Sequence, residues 1–307
     1  MKKIFTLIFS AASFLWVACT PENWVTSISL SKTSLSLLIG EEETITVTSV
    51  LPEDANDKTY TWSSSDNSIA VVDQNGKITA KAKGNTEIRA TANDGSGIFA
   101  SCAVRVKEPY TAMAGEAVDL GLGVKWSSMN LGATSPTGYG DYFAWGETAP
   151  KDNYSWGTYE LCNGTYDTLT KYNNGSSYGA VDNKTEFRDY DYEDDAARQA
   201  LGGKWRIPTD AEWTELKEQC TWTRTTQSGV DGNLVTSKTN GKSIFLPAAG
   251  RRVDTNLLTV GSNGYYWSSS LSTDLSRCAW YVFFESFNVY MGYGDRCCGL
   301  PVRPVLE

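Results

Sequence analysis

The sequence predicts a multidomain fold, an all-β sandwich followed by an α+β domain, and three observations predict it. Residues 25–108 consist of short runs in which Thr, Ser, Val and Ile alternate between polar turns, the pattern of half-buried strands. From Pro109 to Glu307 the composition changes to eight Trp and fifteen Tyr with Gly and Ser in many turns, which predicts long loops around a modest sheet. Two helical patterns are legible, and both fall in this second stretch. Hydrophobic residues at 41% and charged residues at 21% describe a globular chain, and 307 residues suffice for two ordinary domains beyond an export segment.

Residues 1–19 read as a unit apart. Lys2 and Lys3 precede the apolar run Ile4 to Val17, which Ala18 and Cys19 close; this is the layout of an export signal, since a spanning helix is longer. It resembles a bacterial lipoprotein signal, with Trp16 where such signals usually carry Leu and Leu15 one place further back. The resemblance implies a lipid on Cys19, the only membrane attachment expected; an ordinary signal peptide that ends near a cysteine is the alternative. Residues 20–24 form a short tether whose sole charge, Glu22, does not decide between the inner leaflet and the outside.

Residues 25–108 hold the runs SISLS, ETITVTSV, IAVVD, KITAKA, TEIRATA and CAVRVK, punctuated by Gly40, Pro52, Asn67, Asn75-Gly76, Gly84 and Asp94-Gly95. Strands at this spacing predict a β-sandwich. The stretch TWSSSDNSIAVVDQNGKITAKAKGNTEIRATA resembles the bacterial Ig-like group-two family, which implies that Trp62 lies in the core, ahead of the Val-Asp-x-x-Gly-x-Ile-Thr-Ala turn and strand of residues 72–80. The family implies a spacer or adhesion module, here a stalk.

In residues 109–307, Asp194 to Leu201 predicts a short helix ended by Gly202-Gly203. A second helix opens at Thr209 after Pro208, with Glu212 in capping-box spacing and Trp213, Leu216 and Cys220 on one face. VKWSSMNLGA, YFAWGE, GKWRIPT and SIFLPAAG read as strands or strand ends. Gly203-Lys-Trp-Arg-Ile-Pro-Thr-Asp-Ala-Glu-Trp213, Phe245-Leu-Pro-Ala-Ala-Gly250, Tyr266-Trp-Ser-Ser-Ser270 and Val302-Arg-Pro-Val305 together resemble the C-type-lectin-like fold in its formylglycine-generating-enzyme branch. They are similar above all to the major paralogous domain of Bacteroidetes lipoproteins. The resemblance implies one α+β domain whose last hairpin faces a ligand.

That hairpin lies in the stretch Gly264 to Val305. With period two, Trp280, Val282 and Phe284 point one way and Tyr281, Phe283 and Glu285 the other; after a turn, Val289 and Met291 alternate with Asn288, Tyr290 and Gly292. One phase suffices for a core. The second adds Tyr281, Phe283 and Tyr290, with Phe287 at the turn and Tyr293 just beyond, and a half-buried hairpin then presents large rings to water, as recognition surfaces do. Burial on both faces is the alternative. Ser272, Asp274, Arg277, Glu285, Ser286 and Asp295 favour exposure, because each needs a partner when buried.

The same stretch resembles the variable proteins of diversity-generating retroelements, which implies a scaffold of Trp267, Ala279, Trp280, Val282, Phe284, Val289, Arg296, Gly299 and residues 302–305 with diversified positions between. Ligand-binding positions are then Asp274, Leu275, Arg277, Tyr281, Phe283, Phe287, Tyr290, Tyr293 and Asp295. Ordinary divergence of a paralogous family is the competing account.

With no His at all, Ser-His-Asp, Cys-His and HExxH chemistries are excluded. An excess of 36 acidic over 27 basic residues argues against nucleic acid and gives no polybasic patch for a membrane surface. No cofactor and no metal is expected. The triplets EPN, QPD and WND that carry calcium-dependent sugar binding do not occur in residues 109–307, and the acidic run 189–195 reads as a solvated loop. The formylglycine-generating branch implies a copper-dependent oxidase as a rival, with Cys278, Cys297 and Cys298 as soft ligands, but the vicinal pair departs from that family's spacing. Six cysteines remain beyond Cys19, and either pairs such as Cys162–Cys220 and Cys278 with Cys297 or Cys298, or free thiols, are open. The expected function is non-catalytic recognition of a protein or glycan on another cell, a phage or a host surface. The expected location is the cell envelope, lipid-anchored in the outer membrane and surface-exposed. A self-associating, fimbria-like structural component is the first rival.

Overall fold

The computed structural model describes residues 23–286 and 288–307; Cys19, the signal, most of the tether and Phe287 lie outside the described residues. The chain divides into two compact units, which part between Glu108 and Pro109.

The first unit is all β. Strands Ser34–Leu38, Phe99–Lys107, Gly84–Ala92 and Tyr60–Ser64 form one sheet in that order, Glu42–Thr44, Lys77–Ala80 and Ala70–Val72 a second, and Ser27–Leu30 with Val47–Leu51 a third. Ile45, Trp62, Ile78, Ile88, Cys102 and Val104 fill the space between. The Val-Asp-x-x-Gly turn has a mechanical reason. Asp73 accepts the N–H groups of Asn75 at 2.8 Å and Lys77 at 2.9 Å, which fixes the loop. Gly76 then sits at φ +79°, where a Cβ would come within 2.1 Å of the Ile45 carbonyl oxygen, so only glycine fits between Ile45 and the Trp62 ring.

Two features depart from the sequence reading. ETITVTSV is not one strand: Ile45, wholly buried, switches the chain from the sheet of Lys77–Ala80 to the sheet of Ser27–Leu30. Ser34–Leu38, unread in the sequence, pairs in parallel with Phe99–Lys107.

The second unit has two α-helices among the described residues, α1 (Ala196–Leu201) and α2 (Asp210–Gln219). Asp195 caps α1 by accepting the N–H groups of Ala197 and Arg198 at 2.9 and 3.0 Å, and Gly202 ends it at φ +68°. Thr209 and Glu212 form the expected capping box on α2. Trp213, buried on that helix, donates its indole N–H to the Trp267 carbonyl at 3.1 Å and ties α2 to the terminal sheet.

Around the helices lie short ladders and two larger sheets. Ala117–Val118, Lys125–Ser127, Val305–Leu306 and Trp205–Arg206 make one ladder, so the last residues of the chain lie beside the start of the unit. Cys220–Gln227, Val230–Ser237 and Ser243–Pro247 make an antiparallel sheet. Its first turn, Ser228-Gly229, has both φ angles positive, 49° and 79°, the hairpin geometry that matches strand twist. The terminal sheet consists of Gly264–Leu271, Cys278–Glu285 and Asn288–Asp295 in sequence order, all antiparallel. All six described cysteines are free thiols.

Arg206 secures α2 from outside the capping box. Its guanidinium donates to both carboxylate oxygens of Glu212, at 2.8 and 2.6 Å, and to Glu307 at 2.6 Å. Burial raises the Glu212 carboxyl, but the hydrogen bonds from Arg206 and Thr209 outweigh it, and the net position is below the ordinary glutamate range. A carboxyl lowered in the folded state stabilises above its unfolded value and loses that stabilisation as pH falls through the folded one. Arg206→Met is therefore expected to cost about 2 kcal/mol at neutral pH, with the difference from the parent shrinking below about pH 4.5. Urea titrations of both proteins from about pH 7 to about pH 3 check this; a pH-independent difference would contradict it.

Candidate functional site

The terminal sheet has two unlike faces. On one, Val282 and Phe284 are buried with Tyr266, Trp213 and Val305, and Val289 and Met291 pack against the same core. On the other, register aligns two rows across the three strands: Tyr265, Phe283 and Tyr290 in one, Trp267, Tyr281 and Gly292 in the next.

The first row is a graded aromatic ladder. Tyr265 and Phe283 lie with centroids 4.7 Å apart, and Phe283 stacks on Tyr290 at 6.1 Å. Exposure rises along it from Tyr265 at 8% through half-buried Phe283 to Tyr290 at 46%. Arg251 caps the inner end, its guanidinium carbon 5.0 Å from the Tyr265 centroid. Arg251 pairs across a short ribbon with Leu258, so the exposed Leu258 lies on the same side of that ribbon. The Arg251 Nε is buried with no hydrogen-bond partner among the described residues. At the strand tips, Glu285 and Asn288 are exposed.

The second row turns inward. The Tyr281 ring stands 5.9 Å from Trp267 and 5.8 Å from Tyr265. It lies across the edge strand, where a Cβ on Gly292 or Gly294 would meet it at 2.9 and 3.1 Å. Glycines there leave the ring its seat. Burial, foremost, raises the Tyr281 phenol.

The expected ligand-binding residues therefore do not form one surface. Tyr281, Phe283 and Tyr290 share a face, but Tyr281 is largely a packing residue, so among these three rings the expected exposure holds fully for Tyr290 alone. Tyr293 lies on the opposite face, 5.3 Å from Trp280, and is 44% exposed; strand alternation reversed its expected side. Asp274, Leu275, Arg277 and Asp295 sit at the far end of the hairpin, about 17 Å along the strand from Tyr290. There Arg277 pairs with Asp295 at 3.1 Å and covers the Tyr166 ring at 5.6 Å, Asp274 is exposed, and Leu275 is half-buried. Tyr265 and Arg251 were missed. The run GYYW offered a signal for Tyr265, since period two places it and Trp267 on one phase.

Three of the six thiols, Cys278, Cys297 and Cys298, lie toward this far end. Burial first, then Asp295 with its oxygen 3.7 Å from the sulfur, pushes Cys278 up to about 11. The neighbouring Cys297 thiol, by hydrogen bonding, holds Cys298 below the ordinary cysteine value. Rings, one cation and main-chain edges suit noncovalent contact with apolar or sugar faces.

Comparison with known proteins defines a class for the first unit. Residues 24–100 match the family described as bacterial Ig-like domain (group 2), and the chain thus carries a bacterial Ig-like domain. An uncharacterized protein of Clostridium acetobutylicum is 44% identical over 105 residues, 34% of this chain and 11% of that protein. A second from the same organism is 47% identical over 81 residues, 26% of this chain and 20% of that protein. The chain thus spans a fifth or less of the length of these relatives. Domains 4 and 5 of the S-layer protein SbsC align at 20% identity, covering 27% of this chain and 45% of that one with a TM-score of 0.23, a score that supports no functional conclusion.

Proposed function

We propose that the protein is an exported, non-catalytic surface receptor. In this reading a lipid on Cys19 anchors it in the outer membrane, the Ig-like unit is a stalk, and the second unit, a C-type-lectin-like domain, grips a protein or glycan on another cell, a phage or a host surface. The observation that carries the reading is the ladder Tyr265–Phe283–Tyr290, which runs from core to solvent under Arg251. Rings held rigid by packing lose little entropy on contact, which is why Tyr dominates binding hot spots. The Arg251 guanidinium, set over the Tyr265 ring, supplies positive charge at the inner end of the ladder. The resemblance to retroelement-diversified proteins adds that residues around the ladder vary between copies; a reverse transcriptase gene and a near-copy of the final coding stretch beside this gene are the observation that tests this.

The binding test uses the purified chain on arrays of glycans, intact bacterial cells and phage particles. Tyr290→Ser is expected to weaken any specific binding by roughly 30-fold while stability changes by less than about 0.5 kcal/mol. Unchanged binding by this variant would refute the assignment of the face.

A further inference from the structure

Asn288–Asp295 is the outer strand of the terminal sheet. It pairs with Cys278–Glu285, and among the described residues no strand lies beyond it. Parity decides which of its main-chain groups are free. Glu285 and Asn288 face each other across the turn, and the Arg296 N–H donates to the Arg277 carbonyl at 3.0 Å. Bonded pairs recur every second residue in an antiparallel ladder, so Tyr290, Gly292 and Gly294 turn their N–H and C=O groups toward the middle strand. Val289, Met291 and Tyr293 turn theirs outward.

Proteins usually guard such an edge with Lys, Pro, a bulge or a covering element. Residues 288–294, NVYMGYG, contain no Lys, no Pro and no charge, and the register with the middle strand runs unbroken through Asp295. We propose that this edge pairs with the same edge of a second copy, antiparallel about a two-fold axis at Met291, so that the two terminal sheets become one.

The outward groups are symmetric about that residue. Met291 meets Met291, and Val289 meets the second copy's Tyr293, so the outward N–H groups of Val289, Met291 and Tyr293 each find an acceptor without a shift of register. On the ring-bearing face Tyr290 falls opposite the second copy's Gly292, which has no side chain of its own. Asp295, the nearest charge within the strand, is already neutralised by Arg277 at 3.1 Å. A two-fold axis perpendicular to the sheet leaves both aromatic ladders on one side and makes a bivalent surface. The pairing rests on the edge alone and stands or falls separately from the recognition reading.

Sedimentation equilibrium of the full chain from about 1 to about 100 µM is expected to show a reversible dimer. Met291→Pro removes an N–H that the molecule's own ladder does not use and sets a ring in the path of the second strand; it is expected to raise the dimer dissociation constant tenfold or more. Tyr293→Lys keeps every main-chain group, adds the guard the edge lacks, and is expected to do the same with a melting temperature equal to the parent's at concentrations where the parent is monomeric, which covers the case in which the proline variant does not fold. A chain that stays monomeric over the whole range, or a dimer that survives Tyr293→Lys at full strength, would overturn the proposal.

Discussion

Replacing Arg296 with Met is expected to lower the melting temperature of the second unit by roughly 8–16 °C. Arg296 is wholly buried, and among the described residues no carboxylate is a hydrogen-bond partner to it. Its Nε donates to the Tyr159 hydroxyl at 2.8 Å, one terminal nitrogen to the Tyr172 and Ser276 carbonyls at 2.9 and 3.0 Å, and the other to the Lys171 carbonyl at 3.1 Å. The guanidinium also lies over the Trp145 ring at 4.9 Å. Met fills the space but donates nothing. Three carbonyls and a hydroxyl then lose their donor away from water, at roughly 1 kcal/mol or more each, and about 4 kcal/mol in a unit of this size moves the midpoint by the stated amount. Apolar replacement of a buried ion pair can be neutral because both partners go; main-chain carbonyls stay. Lys is not expected to rescue, since one ammonium cannot reach acceptors spread around a planar fork. Scanning calorimetry checks this, and a midpoint within about 2 °C of the parent would show that the loops 171–178 and 272–277 are held by something else.

Tyr281→Ser is expected to cost about 2–4 kcal/mol. The ring bridges Trp267 and Tyr265 and covers Gly292 and Gly294, so its removal opens a void between the middle and outer strands. Urea denaturation measures the loss; stability equal to the parent would place the ring in solvent. Removing Tyr281, Phe283 and Tyr290 together would confound folding with binding, which is why the functional test rests on Tyr290 alone.

Much of this was legible in the residues. Thr209 and Glu212 announced α2, and the alternation through residues 280–291 gave both strands of the hairpin and the buried phase of Val282 and Phe284. Local chemistry dictates these features, so a local pattern reveals them. The turn Ser228-Gly229 between alternating runs was equally plain and went unread. The rest depends on distant residues. Nothing near Ile45 says that the chain changes sheets there, because its partner is the carbonyl of Gly76. The resemblance implies that Arg296 and Arg303 belong to the scaffold, but nothing in the residues around them shows that both are buried; Arg303 donates to the Ser127 and Phe245 carbonyls at 2.9 and 2.7 Å, and burial pushes it down to about 10. The ring-bearing face was visible in the alternation, but its division into a packed Tyr281 and an exposed Tyr290 was not, since glycines on the neighbouring strand decide it.

The most direct test compares two tyrosines. Tyr290 and Tyr293 are exposed almost equally, 46% and 44%, and lie on opposite faces of the same strand. Serine at either position, assayed on the same cell, phage and glycan arrays, makes the same substitution at nearly equal exposure on opposite faces. Loss of binding for Tyr290→Ser with binding retained by Tyr293→Ser is the predicted result; equal loss from both, or loss from Tyr293→Ser alone, would contradict recognition through the aromatic ladder.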